Sequence, residues 1–190
     1  MTARWVVDIA PERNLKVTWE PISLLIKNQT ASDSPYYPPV KWTLGLLRVM
    51  EAVRKAEGND AVHDFYFETT TRIHHHKETQ WDPAEALEAI GVETKHAKAA
   101  TNEKWDATVR RRMDEGLALV GKDVGTPIIA WTARGKTHGI FGPVITRVPK
   151  SKADRLKLWD AMRTVTELDG FWELKRTRTQ PPEFGKPLKR

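Results

Sequence analysis

The sequence predicts a mixed α/β chain in which a helical block interrupts a smaller, strand-bearing part. Three observations carry that prediction. Leu15-Lys16-Val17-Thr18-Trp19-Glu20 alternates apolar and polar residues with period 2. Between residues 40 and 119, apolar residues recur at helical spacing with no convincing strand among them. Two short β-prone runs, 128–131 and 137–141, flank a turn and precede one last helical stretch. The expected organisation is residues 1–39 and 120–190 as one part, the last twenty of them a basic tail, and 40–119 as an all-helical insertion.

Each element has its own local reason. Arg4-Trp5-Val6-Val7-Asp8-Ile9-Ala10 reads as the later turns of an amphipathic helix stopped by Pro11, with no capping residue and no lead-in before it. The alternating run at 15–20 places Leu15, Val17 and Trp19 on one face of a strand that Pro21 ends. From Asn28 to Pro38-Pro39 the density of turn residues predicts a long surface connection. Leu44, Leu47 and Met50 mark a helix stopped by Gly58, and Asn59-Asp60 supplies short acceptors to cap the next, which carries Val62, Phe65, Tyr66, Thr69 and Ile73. Asp82-Pro83-Ala84-Glu85 is a strong helix start, with Gly91 as its stop; a short helix fits 94–100, and Trp105, Val109 and Met113 stripe a helix reaching about Leu119. Arg134-Gly135-Lys136 turns the hairpin, Gly142-Pro143 closes it, and Ser151 with Asp154 opens a final helix bearing Leu156, Trp159, Met162 and Val165.

Composition narrows the function. The 190 residues contain no cysteine, so they form no disulfide, no thiolate metal site and no cysteine nucleophile. No apolar run approaches the ~18 residues of a membrane span, and Asp8 breaks the opening before any apolar signal core, so a soluble, cytoplasmic protein is expected. The net charge of +6 is unevenly spread. Lys175, Arg176, Arg178, Lys186, Lys189 and Arg190 face only Glu173 and Glu183 in the stretch from Trp172 on, which leaves the rest nearly balanced and argues against a broad nucleic-acid face.

Several features invite chemistry. His74-His75-His76 suggests a metal, but adjacent helical residues point about 100° apart and no paired-histidine zinc motif is present; a solvated helix end is the better reading, and no metal site is expected. The basic tail with its aromatic residues has the make-up of a single-strand nucleic-acid binder. The preferred account packs Phe171, Trp172, Leu174 and Phe184 onto the domain and leaves the charges wet, with no nucleic acid as partner. Trp5, Trp105 and Trp159 fall on helical apolar stripes and Trp19 on the strand's apolar face, whereas Trp42 and Trp81 are not placed by pattern. Gly125-Thr126-Pro127 leads into a buried strand, where proline costs no ladder donor, and its Thr–Pro bond is a candidate for the cis isomer.

The residues Val120-Gly121-Lys122-Asp123-Val124-Gly125-Thr126-Pro127, Phe141-Gly142-Pro143-Val144 with Pro149, Leu158-Trp159-Asp160 and Phe171-Trp172-Glu173-Leu174-Lys175-Arg176-Thr177-Arg178-Thr179 with Pro181-Pro182 carry a family resemblance. Arg4-Trp5, Ser23-Leu24 with Asn28, and Arg72-Ile73-His74 are weaker echoes. Along nearly its whole length the chain resembles the DsbA-like thioredoxin-fold proteins with an inserted helical domain, and among them the actinobacterial mycothiol-dependent nitroreductase group. The resemblance implies a thioredoxin-like α/β fold and a cytoplasmic oxidoreductase that reduces disulfides or activates nitroaromatic compounds with mycothiol as cofactor. Members carry a first strand and a Cys-Pro-Trp-Cys or Cys-Pro-Trp-x motif that would end just before Met1, so the chain is expected to lack both. Loss of that strand would open the sheet between 15–20 and 128–131.

The resemblance further implies that Gly125, Thr126 and Pro127 form the loop facing the family's cysteine, with the Thr126 backbone aligning a bound thiol, and that Asn28 lines the same cleft. None of the residues present is a catalytic nucleophile, so an inactive form of an oxidoreductase is expected, its partner a small-molecule thiol or disulfide, with no membrane. The alternative is a non-catalytic thioredoxin-like binding module.

Overall fold

The computed structural model describes residues 1–187; Leu188, Lys189 and Arg190, the end of the expected basic tail, lie outside the described residues. Among the described residues seven α-helices and two strands follow one another: α1 (Thr2–Ile9), α2 (Leu24–Asn28), α3 (Tyr37–Glu57), α4 (Asn59–Thr71), α5 (Pro83–Ala89), α6 (Asp106–Val120), β1 (Ile128–Ala133), β2 (Lys136–Phe141) and α7 (Lys152–Thr166). Short 3-10 turns occupy Pro11–Arg13, Thr94–Thr101 and Glu103–Trp105, and a π-helical turn occupies Arg72–His76. The chain divides into two compact units, Met1–Val17 with Gly116–Arg190, and Thr18–Glu115. The architecture is mixed α/β and mostly helical, and the only sheet among the described residues is the β1–β2 pair.

In the first unit an antiparallel hairpin rests on two helices. β1 and β2 run in register from Ile128 opposite Phe141 to Ala133 opposite Lys136. Arg134 and Gly135 make the two-residue turn with φ of 51° and 75°, the positive pair that matches the twist of the flanking strands. Gly139 is glycine for a different reason: a Cβ there would lie 2.8 Å from the Leu119 Cβ, so the end of α6 can approach only a bare backbone. Trp5 and Ile9 of α1, 0% and 1% exposed, pack against Trp159 and Met162 of α7, with Ile129, Trp131 and Ile140 of the hairpin on the same cluster. The Trp5 and Trp159 rings lie 5.9 Å apart, the Trp131 and Trp159 rings 6.2 Å, and the Trp5 indole N–H donates to the Arg155 carbonyl at 2.9 Å. Ser151 caps α7 by accepting from the Asp154 N–H, as its sequence predicts.

The Thr18–Glu115 unit is helical. Val49 and Val53 of α3, Val62 and Phe65 of α4 and Leu87 of α5 are fully buried together. Trp42 and Trp81, unassigned from pattern, meet edge to face at 5.3 Å against this core. Arg72 covers Trp81 at 5.2 Å while pairing with Glu68, Glu78 and Glu85, which holds the turn after α4 onto α5. The buried charge is Glu51, 2% exposed on α3. Arg54 reaches it at 3.2 Å and Arg112 of α6 at 2.9 Å; Arg112 also takes Glu20 at 2.9 Å. The histidine triplet ends a helix as expected, in the π turn closed by Lys77 in the left-handed region.

Four expectations are corrected. Residues 15–20 form no strand, although Leu15, Val17 and Trp19 are half-buried and their neighbours exposed, as the alternation requires. The Trp19 N–H donates to Asn59 Oδ1 at 3.1 Å and its carbonyl accepts from Arg54, so side chains satisfy backbone groups that a ladder would otherwise use. Asn59 does not cap α4, which starts after Gly58 without a side-chain cap. The connection expected from Asn28 to Pro39 is shorter at both ends. Asn28 closes α2, and Pro38 and Pro39 sit in the first turn of α3, where backbone N–H groups have no intrahelical acceptor to lose. Finally, Trp172 and Leu174 do not pack: they are 89% and 81% exposed. Only Phe171 and Phe184 are partly sheltered.

Glu51→Gln leaves the Arg54 and Arg112 guanidinium groups facing a neutral amide and is expected to lower unfolding free energy by about 3 kcal/mol in urea titrations. Arg134→Asn keeps the turn but replaces a side chain poorly suited to positive φ with one that tolerates it, and the same titration should show a gain of roughly 0.5 kcal/mol. A third expectation concerns acid. Arg13 grips Asp160 with two hydrogen bonds, 2.9 and 2.5 Å, and holds its carboxyl below the ordinary aspartate range. The folded-state pKa being lowered, this contribution is full above the ordinary range and is lost as pH falls through the lowered value. The Asp160→Asn protein should therefore lose less stability than wild type between neutral pH and pH about 3, read from urea midpoints.

Candidate functional site

The loop 124–127 enters the hairpin and is fixed at its far side. The Pro127 carbonyl accepts the Gly142 N–H at 2.8 Å, one residue outside the first β1–β2 pair, so the strand entry and the strand exit are tied to each other. The Thr126–Pro127 peptide is cis, and so is Gly142–Pro143. Gly125 lies beside the Phe141 ring, where an added Cβ would make ordinary contact at 3.7 Å. Thr126 is exposed, and among the described residues neither its backbone N–H and C=O nor its hydroxyl has a hydrogen-bond partner.

The strand exit is tied in turn to α1. Thr2, 6% exposed in the first turn of that helix, donates its hydroxyl to the Pro143 carbonyl at 2.6 Å. Thr2 to Pro143 and Gly142 to Pro127 thus form a short relay from the N-terminal end of α1 to the loop. That helix end has no side-chain cap and no acidic residue in its first turn. The positive pole of the helix favours an anionic group there.

Of the residues singled out from sequence, Gly125, Thr126 and Pro127 are one continuous element of this site. Asn28 belongs to the Thr18–Glu115 unit, exposed at the last position of α2. Sequence reading missed Thr2 and took Gly142-Pro143 for a hairpin stop and a family motif, not for a tie to α1. A hydroxyl in a first helical turn carries no local signal of a partner 141 residues away. No group of three or more histidine, aspartate or glutamate side chains among the described residues is placed to hold a metal ion.

The chemistry on offer is recognition. The loop presents an unpaired amide donor and acceptor at Thr126, and α1 presents a positive pole. The pole favours an anionic group such as a thiolate, and the backbone groups of Thr126 suit a ligand that carries an amide. No thiol stands among the 190 residues to act as nucleophile.

The family model named Rv2466c-like, described as mycothiol-dependent nitroreductase Rv2466c, matches residues 1–176, from the start of α1 through α7 to the first basic residues of the tail. With the match extending over most of its length and both halves of the candidate site inside it, the chain belongs to the Rv2466c-like, mycothiol-dependent nitroreductase family.

Proposed function

We propose that this chain is the thiol-recognising body of a mycothiol-linked oxidoreductase with a thioredoxin-like, DsbA-type fold, working in the cytoplasm. The observation that carries the reading is the family match over residues 1–176, which takes in the loop 125–127 and the α1 end that the hydrogen-bond relay ties to it. Mycothiol, when bound, supplies the thiol and the reducing electrons. Thr126 supports the reading because its exposed backbone groups are free to pair with an amide of the ligand, and the α1 N-terminus because its pole lowers the energy of a thiolate beside it. Gly125 keeps the approach to Thr126 clear of a side chain and Pro127 ties the loop to the strand exit through its carbonyl, while Asn28 is proposed as a ligand-binding residue of the Thr18–Glu115 unit.

With no cysteine of its own, the chain binds without turning over a disulfide or a nitroaromatic compound. That count also favours the second reading, a thioredoxin-like module that holds a thiol ligand and catalyses nothing. Intact mass of the product of the native locus separates the two: a cysteine-bearing product heavier than 21.7 kDa supports the oxidoreductase, and 21.7 kDa supports the module.

Both readings share a binding test. Calorimetry with mycothiol disulfide on the 190-residue protein should show saturable binding, with amide shift changes at residues 125–127. Thr126→Pro removes the backbone donor and should weaken binding by about tenfold, while Thr126→Ala, which keeps it, should not. Absence of saturable heat, or equal binding by both variants, removes Thr126 from the site.

A further inference from the structure

The tail segment 168–178 is presented to the outside as a loop held at both ends. At its start the Phe171 N–H donates to the Leu168 carbonyl at 3.4 Å. Beyond it the Glu183 N–H donates to the Thr146 carbonyl at 2.7 Å, and the Arg4 guanidinium holds the Phe184 and Lys186 carbonyls. Between these ties the chain has no regular secondary structure. Leu168, Trp172 and Leu174 are 60%, 89% and 81% exposed, in a unit whose other tryptophans are largely covered. Lys175, Arg176 and Arg178 have no carboxylate partner among the described residues, and Asp169 is taken by Lys136. Glu173 is the one acidic side chain in the segment left to oppose them.

Large apolar groups and unpaired cations in one short loop match an interface that is apolar inside and anionic outside. We propose that segment 168–178 docks this protein on an anionic lipid surface, Trp172 and Leu174 entering the headgroup boundary while Lys175, Arg176 and Arg178 meet lipid phosphates. Two competing occupants fit less well. A nucleic acid rewards aromatic platforms, and here two of the three exposed apolar side chains are leucine. A second copy would bring the same three cations against their own kind.

The test is co-sedimentation of the 190-residue protein with vesicles of phosphatidylcholine alone and of phosphatidylcholine mixed with phosphatidylglycerol. The expected result is binding to the mixed vesicles only, lost in high salt. Arg176→Gln with Arg178→Gln should lower the partition coefficient by about fivefold per charge removed. Trp172→Ala with Leu174→Ala should lower it by at least about tenfold. Thermal melts of both variants should match wild type, since none of these side chains is buried. The proposal is overturned if mixed vesicles bring down no protein or either variant partitions like wild type. It is equally overturned if the same substitutions instead abolish a concentration-dependent dimer, or abolish binding to a single-stranded oligonucleotide, with vesicles unbound.

Discussion

Two antiparallel strands bury too little apolar surface to stand alone in water, so the strand-bearing unit depends on what the hairpin leans against. That support is the indole of Trp159. It meets Trp5 from α1 and Trp131 from β1, and those contacts bring the first and last helices of the chain onto one small sheet. The Trp5 N–H is satisfied by the Arg155 carbonyl, so the most buried tryptophan carries no orphaned donor into the core. From this arrangement follows the geometry of the candidate site: α1 seated on α7 and the hairpin places Thr2 where Pro143 can accept its hydroxyl.

The helical unit solves a different problem. Its core is aliphatic and ordinary, but a carboxylate lies within it, and Glu51 is tolerable there because two guanidinium groups converge on it. The same arginines reach out to the extended segment near Trp19 and Glu20, one to a carbonyl and one to a carboxylate. A buried charge cluster thereby holds a stretch of chain that no sheet holds.

The site that results is suited to recognition. An unpaired backbone at Thr126 and the uncapped start of α1 offer directed hydrogen bonds and a positive pole. Membership of a mycothiol-dependent family gives that recognition a chemical context. None of these 190 residues is a cysteine, so none of them supplies a thiol nucleophile.

Much of this was legible in the residues themselves. Local chemistry determined the helix starts at Asp82-Pro83 and Ser151, the turn at Arg134-Gly135, the helical block and the tryptophan stripes, because each depends on neighbours within a few positions. Tertiary structure alone decided the fate of 15–20, where an impeccable strand pattern forms no strand and the Trp19 backbone pairs instead with the Asn59 and Arg54 side chains. It also decided that Trp42 meets Trp81, that Thr2 closes on Pro143, and that Trp172 and Leu174 remain exposed while Phe184 folds back. The reason is the same in each case. Periodicity states which side of a segment is apolar, whereas the partner for that side, or for a backbone group, is chosen by elements tens of residues away whose position no local pattern encodes.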